Sequence, residues 1–314
     1  MKKIIAILVL IMSQISHAQS IELVVPYAPG GTSTRVAQLI AEILTEKGYT
    51  TFVKNMPGAS SIIGANYAAK GKTDGTVLFL GSGATMASNL AFPTPGVEYN
   101  ENNFVPITPL GRTGWTIYVS ANSPIQNYEQ FKLYVRSNPD KFNLAFWNTN
   151  YSKLLYHWAD RENLPRPTIV NYKGAGIGAI DVAGGNVFCG SAGPIDIMPL
   201  YTADKVRILA TFNQETIQDL HQINPNDTTV IVDLSKDKSD LDYFLWYGLY
   251  APAGTSKEIL NKYNKIINDA LKEPQYAEKQ RQLPLHQIGG DPVILKKWQQ
   301  TDLLFMRKVA AKYN

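Results

Sequence analysis

Cysteine is nearly missing from this chain: Cys189 stands alone among 314 residues. A single thiol makes no internal disulfide and no Cys-based metal cluster, so the fold must rely on its hydrophobic core. Histidine is almost as scarce. Beyond His17 there are only His157, His221 and His286, and none has a second His at metal-ligand spacing. An excess of one charge is lacking too, with 30 Lys and Arg against 26 Asp and Glu. Without a basic run interleaved with aromatics, no nucleic-acid partner is indicated. After the N-terminus no apolar run is long enough to span a bilayer.

The N-terminus itself reads as a leader. Met1-Lys2-Lys3 is a basic start, Ile4–Met12 an apolar run too short to cross a membrane, and Ser16-His17-Ala18 a small-x-small cleavage site. Residues 1–18 are therefore expected to be a signal peptide cut after Ala18. The mature chain would begin at Gln19, near charge balance and exported to the periplasm. No Cys follows the site to carry a lipid.

What the chain has in quantity is one repeated device. Ile21–Val25 is a β-branched apolar run fit for a buried strand. Pro26-Tyr27-Ala28-Pro29-Gly30-Gly31 then forces a turn. From Thr32, hydroxyls come first and Val36, Leu39, Ile40, Ile43 and Leu44 follow at helical spacing. Unpaired N–H groups and the positive end of the helix dipole attract an anion at such a junction. A carboxylate there would accept from backbone N–H groups and from Thr32 or Thr34. The device recurs at Asn55-Met56-Pro57-Gly58-Ala59-Ser60-Ser61 and at Gly81-Ser82-Gly83-Ala84-Thr85. Ser60, Ser61, Ser82 and Thr85 would add hydroxyls from the same side. Alternating β and α elements predict parallel sheets covered on both faces, with ligand beyond the carboxyl ends of the strands.

Further along, Phe92–Pro109 reads as a long surface connection and Trp115–Ser120 as a strand. Phe142–Trp147 leads into Asn148-Thr149-Asn150, and Thr168–Tyr172 opens into Lys173-Gly174-Ala175-Gly176-Ile177-Gly178. Val187–Ser191, Val206–Thr211 and Tyr247–Ala251 are further strands, and helices follow Ser256 and Asp291. Two groups of units followed by helices without a third sheet predict an α/β fold of two lobes, each a mixed sheet flanked by helices. Lobe 1 would hold 19–120 plus 248–314 and lobe 2 would hold 121–247. Strands near Ile117–Ser120 and Tyr247–Ala251 would cross between them as a hinge. Trp147, Asn148, Lys173, Gly174, Ala175 and Ala192 are the candidate ligand residues of lobe 2, facing Tyr27, Gly30, Gly31, Thr32, Thr34 and the serines of lobe 1.

Enzyme readings fail on spacing. Cys189-Gly190-Ser191-Ala192-Gly193 lacks the first glycine of the Gly-x-Ser-x-Gly nucleophile turn. Gly71-Lys72-Thr73 ends like a phosphate loop, but Asn66 replaces its first glycine, and Gly174-Ala175-Gly176-Ile177-Gly178 is not Gly-x-Gly-x-x-Gly. A secreted serine hydrolase using Ser191 with one of the histidines is the rival kept for test. No cofactor or metal is expected.

The order of the motifs adds a resemblance. Pro26-Tyr27-x-Pro29-Gly30-Gly31, Asn55-x-Pro57-Gly58-Ala59, Gly64-Ala65, Asp74-Gly75, Tyr172-Lys173-Gly174, Asp181, Gly184-Gly185-x-Val187 and Gly248-Leu249-x-Ala251-Pro252-Ala253-Gly254-Thr255 run in sequence from Ile21 to about Lys308. Together they are similar to the extracytoplasmic receptors of tripartite tricarboxylate transporters, the Bug-type receptors. The resemblance implies a two-lobed Venus-flytrap periplasmic-binding-protein fold, monomeric, that carries a carboxylate to membrane permease subunits. It also implies that the loops at Tyr27–Thr34 and Lys173–Gly178 pinch the ligand.

The departures from that family bear on the ligand. Thr34 and Ala192 stand where acidic residues are frequent, Ser60-Ser61 where Gly-Gly is usual, Ile177 where proline is common, and Phe146-Trp147-Asn148 where residues are small. Loss of acidic groups from both lobes predicts an anion without a positive group and with an aromatic or apolar body.

Overall fold

A computed structural model describes residues 19–283 and 285–313. The expected leader, 1–18, lies outside the described residues. The first sheet begins with the apolar run at the mature end. β1 (Ser20–Val25) lies between β2 (Thr50–Asn55) and β3 (Val77–Ser82), all parallel. Their crossovers are α1 (Thr32–Glu46) and α2 (Ile62–Ala69). Ile21, Leu23 and Val25 face Val36, Leu39, Ile40 and Ile43 of α1 in one core, as the two periodicities require.

β3 is continued by β11 (Phe244–Pro252), β4 (Phe104–Gly114) and the short edge β12 (His286–Ile288), each antiparallel to the strand before it. The expected surface connection at Phe92–Pro109 is corrected here, because Phe104–Pro109 is strand and Ile107 is buried. Pro106 and Pro109 disguised it. They fit because the pairing with β11 slips at Tyr247/Gly248 and Leu249/Tyr250, where ladder donors are not needed.

The second sheet has the order β10 (Val232–Asp233), β9 (Val206–Thr211), β5 (Thr116–Ser120), β8 (Cys189–Ala192), β6 (Asn143–Phe146), β7 (Thr168–Asn171). β5 sits in its middle, antiparallel to both β8 and β9. The chain therefore crosses between lobes at Trp115, not after Ser120, and returns by Phe244, which pairs with Gly114. Residues 116–120 belong with lobe 2 and 244–247 with lobe 1. Trp115 itself is fully buried against Phe146 and Tyr151.

The last helix, α10 (Pro292–Tyr313), also departs from the expected partition. Leu295 packs with Phe79 and Tyr250 of lobe 1. Leu303, Met306, Val309 and Tyr313 pack with Leu154, Leu155 and Trp158 of lobe 2. It bridges both lobes instead of closing the first. The product is the expected two-lobed α/β fold, each lobe a mixed sheet flanked by helices.

Candidate functional site

Three parallel strands of lobe 1 end at the cleft, the first of them in the turn at residues 26–31. Gly30 adopts φ +97°, a left-handed conformation that glycine enters without strain. Gly31 is the N-cap of α1 and supplies no side-chain cap, so the first N–H groups of the helix are left for another acceptor. In lobe 2, α5 (Ala175–Ala183) starts the same way, with Gly174 as an N-cap lacking a side-chain bond. The two uncapped ends open on one cavity of about 400 Å³, within the range of small-ligand sites.

Eight of the expected residues line that cavity: Tyr27, Gly30, Gly31, Thr32, Trp147, Lys173, Gly174 and Ala175. The others stand behind its wall, and their hydrogen bonds explain why. Thr34 is buried, donating to the Ala28 carbonyl and accepting from Asn55 Nδ2, which also donates to the Tyr27 carbonyl. The Thr85 hydroxyl is consumed by the Ser82 backbone, accepting from its N–H and donating to its carbonyl. Ser82 Oγ shares a 2.6 Å hydrogen bond with Tyr27 Oη and so positions that ring.

Ser60 and Ser61 sit in a left-handed stretch, Ala59–Ser61, with φ of 47°, 53° and 75°. What Ser60 offers is its carbonyl, which accepts from Asn89 Nδ2 and, across the cleft, from Asn148 Nδ2. Asn148 is fully buried and its Oδ1 accepts from the Tyr151 N–H. Ala192 ends β8, buried, its carbonyl accepting from Thr116 Oγ1.

The largest correction concerns charge. The expectation of a cleft without acidic groups is overturned by Asp196. This residue lies in the first turn of α6 (Pro194–Tyr201), following β8. Its Oδ1 accepts from both the N–H (3.2 Å) and the Oγ1–H (3.0 Å) of Thr32 on the opposite lobe. Burial pushes its carboxyl above the usual range, while the Thr32 bonds and the nearby Arg35 pull it back. Gly193-Pro194-x-Asp196 is one more turn at a strand's carboxyl end, but nothing local in it marks the contact with Thr32. Arg35 and Tyr247 were missed as well. Both line the cavity, and burial with Asp196 nearby holds the Tyr247 phenol neutral.

Apolar surface completes the wall through Trp147, Ile177, Ile180, Ile195 and Leu200. Trp147 stacks on Phe146, ring centroids 5.4 Å apart, and is held at the cleft by that contact.

Nucleophilic chemistry is not assembled at Ser191. Its side chain is 1% exposed and its Oγ has no partner among the described residues. His157 Nε2 is bonded to Asp240 Oδ2 and His286 Nε2 to Asp219 Oδ2. No group of three or more His, Cys, Asp or Glu among the described residues could hold a metal, and none of their helices is long and apolar enough to cross a membrane.

Comparisons with known proteins agree with this architecture. The chain is 25% identical to protein BugT of Bordetella pertussis over 280 residues, covering 83% of this chain and 79% of that one. Among solved structures it resembles Rhodopseudomonas palustris Rpa4515 with adipate, with a TM-score of 0.82, 24% identity and coverage of 94% and 97% of the two chains. It also resembles MatC from Rhodopseudomonas palustris with bound malate, with a TM-score of 0.79, 24% identity and coverage of 93% and 98%. The sequence pattern of the tripartite tricarboxylate transporter family receptor matches residues 34–311, nearly the whole described chain, and the protein belongs to that family.

Proposed function

We propose that this protein is a periplasmic solute-binding receptor. It captures a small organic carboxylate between its lobes and delivers it to the membrane permease of a tripartite tricarboxylate-type transporter. One observation carries the reading: two helix N-termini without side-chain caps, Gly31 and Gly174, face one cavity from opposite lobes. Both present a positive dipole end; the donors behind Gly174 are open to an anion, and those of Thr32 behind Gly31 hold the Asp196 carboxylate. Charge-assisted bonds of this kind contribute roughly 1.5–3 kcal/mol each where water is excluded. The malate and adipate in the two similar structures belong to the same chemical class.

The rival, a secreted serine hydrolase, has its nucleophile buried and two of its three candidate bases, His157 and His286, bonded to Asp240 and Asp219. A thermal-shift screen against mono-, di- and tricarboxylates and aromatic acids separates the two. A receptor is stabilised in proportion to RT ln(1 + [L]/Kd) and returns its ligand unchanged. Turnover of an ester or amide, with no carboxylate raising the melting temperature, would overturn the proposal.

A further inference from the structure

We infer that Asp196 fills, from within the chain, one of the two anion positions of the cleft, so that the receptor selects a monocarboxylate with an apolar body over the corresponding dicarboxylate. The inference rests on the receptor reading above and names its substrate class.

Thr32 opens α1 and faces the opposite lobe. Its N–H and hydroxyl are the donors that the uncapped end of α1 would present to a ligand carboxylate, and both already point at Asp196 Oδ1. The fit is close: a Cβ placed on Gly31 would stand 3.5 Å from the same oxygen. The opposite helix end is arranged differently. Gly174 has nothing within 4 Å of where a Cβ would be, and Lys173 adds a cation beside it. One anion position is thus occupied by the protein and one is open.

Charge leads to the same answer. Among the described residues lining the cavity, Arg35 and Lys173 are the cations and Asp196 is the anion. Their sum is one positive charge, which a monocarboxylate neutralises. A dicarboxylate would bring its second carboxylate against Asp196 with the Thr32 donors already taken, and like charges at short range repel. A zwitterion leaves the surplus cation unmatched. For the rest of the ligand the wall offers Trp147, Ile177, Ile180, Ile195 and Leu200, which reward a hydrocarbon body and not a second charged end.

The test is calorimetric titration of wild type, Asp196→Ser and Asp196→Asn at pH 7.5. The probes are straight-chain pairs from butanoate and succinate to octanoate and suberate, the pair benzoate and terephthalate, and the ω-amino acids of the same lengths. Wild type is expected to bind the monocarboxylate of the best pair at least tenfold tighter than its dicarboxylate or ω-amino partner. Asp196→Ser should vacate the Thr32 donors and shift the monocarboxylate-over-dicarboxylate preference at least tenfold toward the dicarboxylate. Asp196→Asn, which keeps an acceptor and loses the charge, should fall between them. Melting curves without ligand check that each variant is folded, and the wild-type order stands as a test even if one variant is not. Equal or tighter binding of a dicarboxylate or an ω-amino acid by wild type overturns the inference and leaves the receptor reading intact. So does a serine variant with unchanged preference. Binding of no carboxylate by any of the three proteins overturns both.

Discussion

The rings of Tyr27 and Trp147 meet edge to face across the cleft, with centroids 5.8 Å apart and planes at 84°. One comes from the first turn of lobe 1, the other from the end of β6 in lobe 2. Each is held from behind, Tyr27 by Ser82 and Trp147 by Phe146. The pair is therefore an inter-lobe contact and a cavity wall together.

Replacing Trp147 should separate those roles. Trp147→Ala is expected to weaken ligand binding by roughly 0.5–1.5 kcal/mol for the aromatic contact, plus the lost burial of a ligand body. Trp147→Phe should recover most of this. Titration calorimetry with the best ligand of the carboxylate screen is the measurement, and affinity unchanged in the alanine variant would remove Trp147 from the site.

Ser60 leads to a prediction about stability. Its φ of 53° and ψ of 43° place a residue with a Cβ in the left-handed region, where L residues are strained by about 1–2 kcal/mol. Its backbone carbonyl, bonded to Asn89 and Asn148, is what the fold uses. Ser60→Gly relieves the strain at the cost of a more flexible unfolded chain, so a net gain of roughly 0.5–1 kcal/mol is expected. Chemical denaturation of both proteins measures it. A loss of stability would show that the hydroxyl contributes more than the strain costs.

Asp302 supplies a pH dependence. Its Oδ2 accepts from Trp246 Nε1 at 2.8 Å and from Tyr151 Oη at 3.2 Å, tying α10 to both lobes. Burial outweighs these bonds and pushes its carboxyl from 3.8 up to about 7. Between about pH 4 and 7 the folded state keeps a proton that the unfolded chain has released. Stability from this group therefore falls as pH rises through that window and levels off above it. One proton gives a slope of at most about 1.4 kcal/mol per pH unit. Asp302→Asn should remove this slope, so that the stability of wild type relative to the variant falls as pH rises through that window and is constant above it. Parallel curves for wild type and variant from pH 4 to 8 would refute the assignment.

Much of this was legible because it is local. The unit Ile21–Leu44 contains its own strand, breaker and helix pattern, and the anion-attracting end of α1 follows from that pattern alone. Lys173-Gly174-Ala175 was readable for the same reason. Asp196 was not, since its meaning lies in a contact with Thr32, 164 positions away. A strand at Thr116–Ser120 could be seen, but not which sheet it enters, because apolar alternation says which face is buried and not against what. The apolar residues of α10 likewise do not say that one end packs on each lobe. Ser60 was read through its hydroxyl, while the structure uses its backbone carbonyl.

The contact between Thr32 and Asp196 joins the two lobes and is expected to set how far the empty cleft opens. The two bonds are charge-assisted and contribute roughly 1.5–3 kcal/mol together at a partly exposed site. A bias of that size favours the closed arrangement about 10- to 100-fold. Asp196→Ala removes both bonds, whereas Thr32→Val keeps the backbone N–H and removes only the hydroxyl. Trp115 and Phe244 mark the strand crossings at which rotation would be absorbed. Without ligand, the radius of gyration from solution scattering should therefore rise in Asp196→Ala and rise less in Thr32→Val. Saturating carboxylate should contract Asp196→Ala toward the wild-type value by supplying an anion where Asp196 stood. If the alanine variant scatters like wild type in the empty state, closure is governed by α10 and its packing on both lobes, and the Thr32–Asp196 contact follows closure instead of holding it.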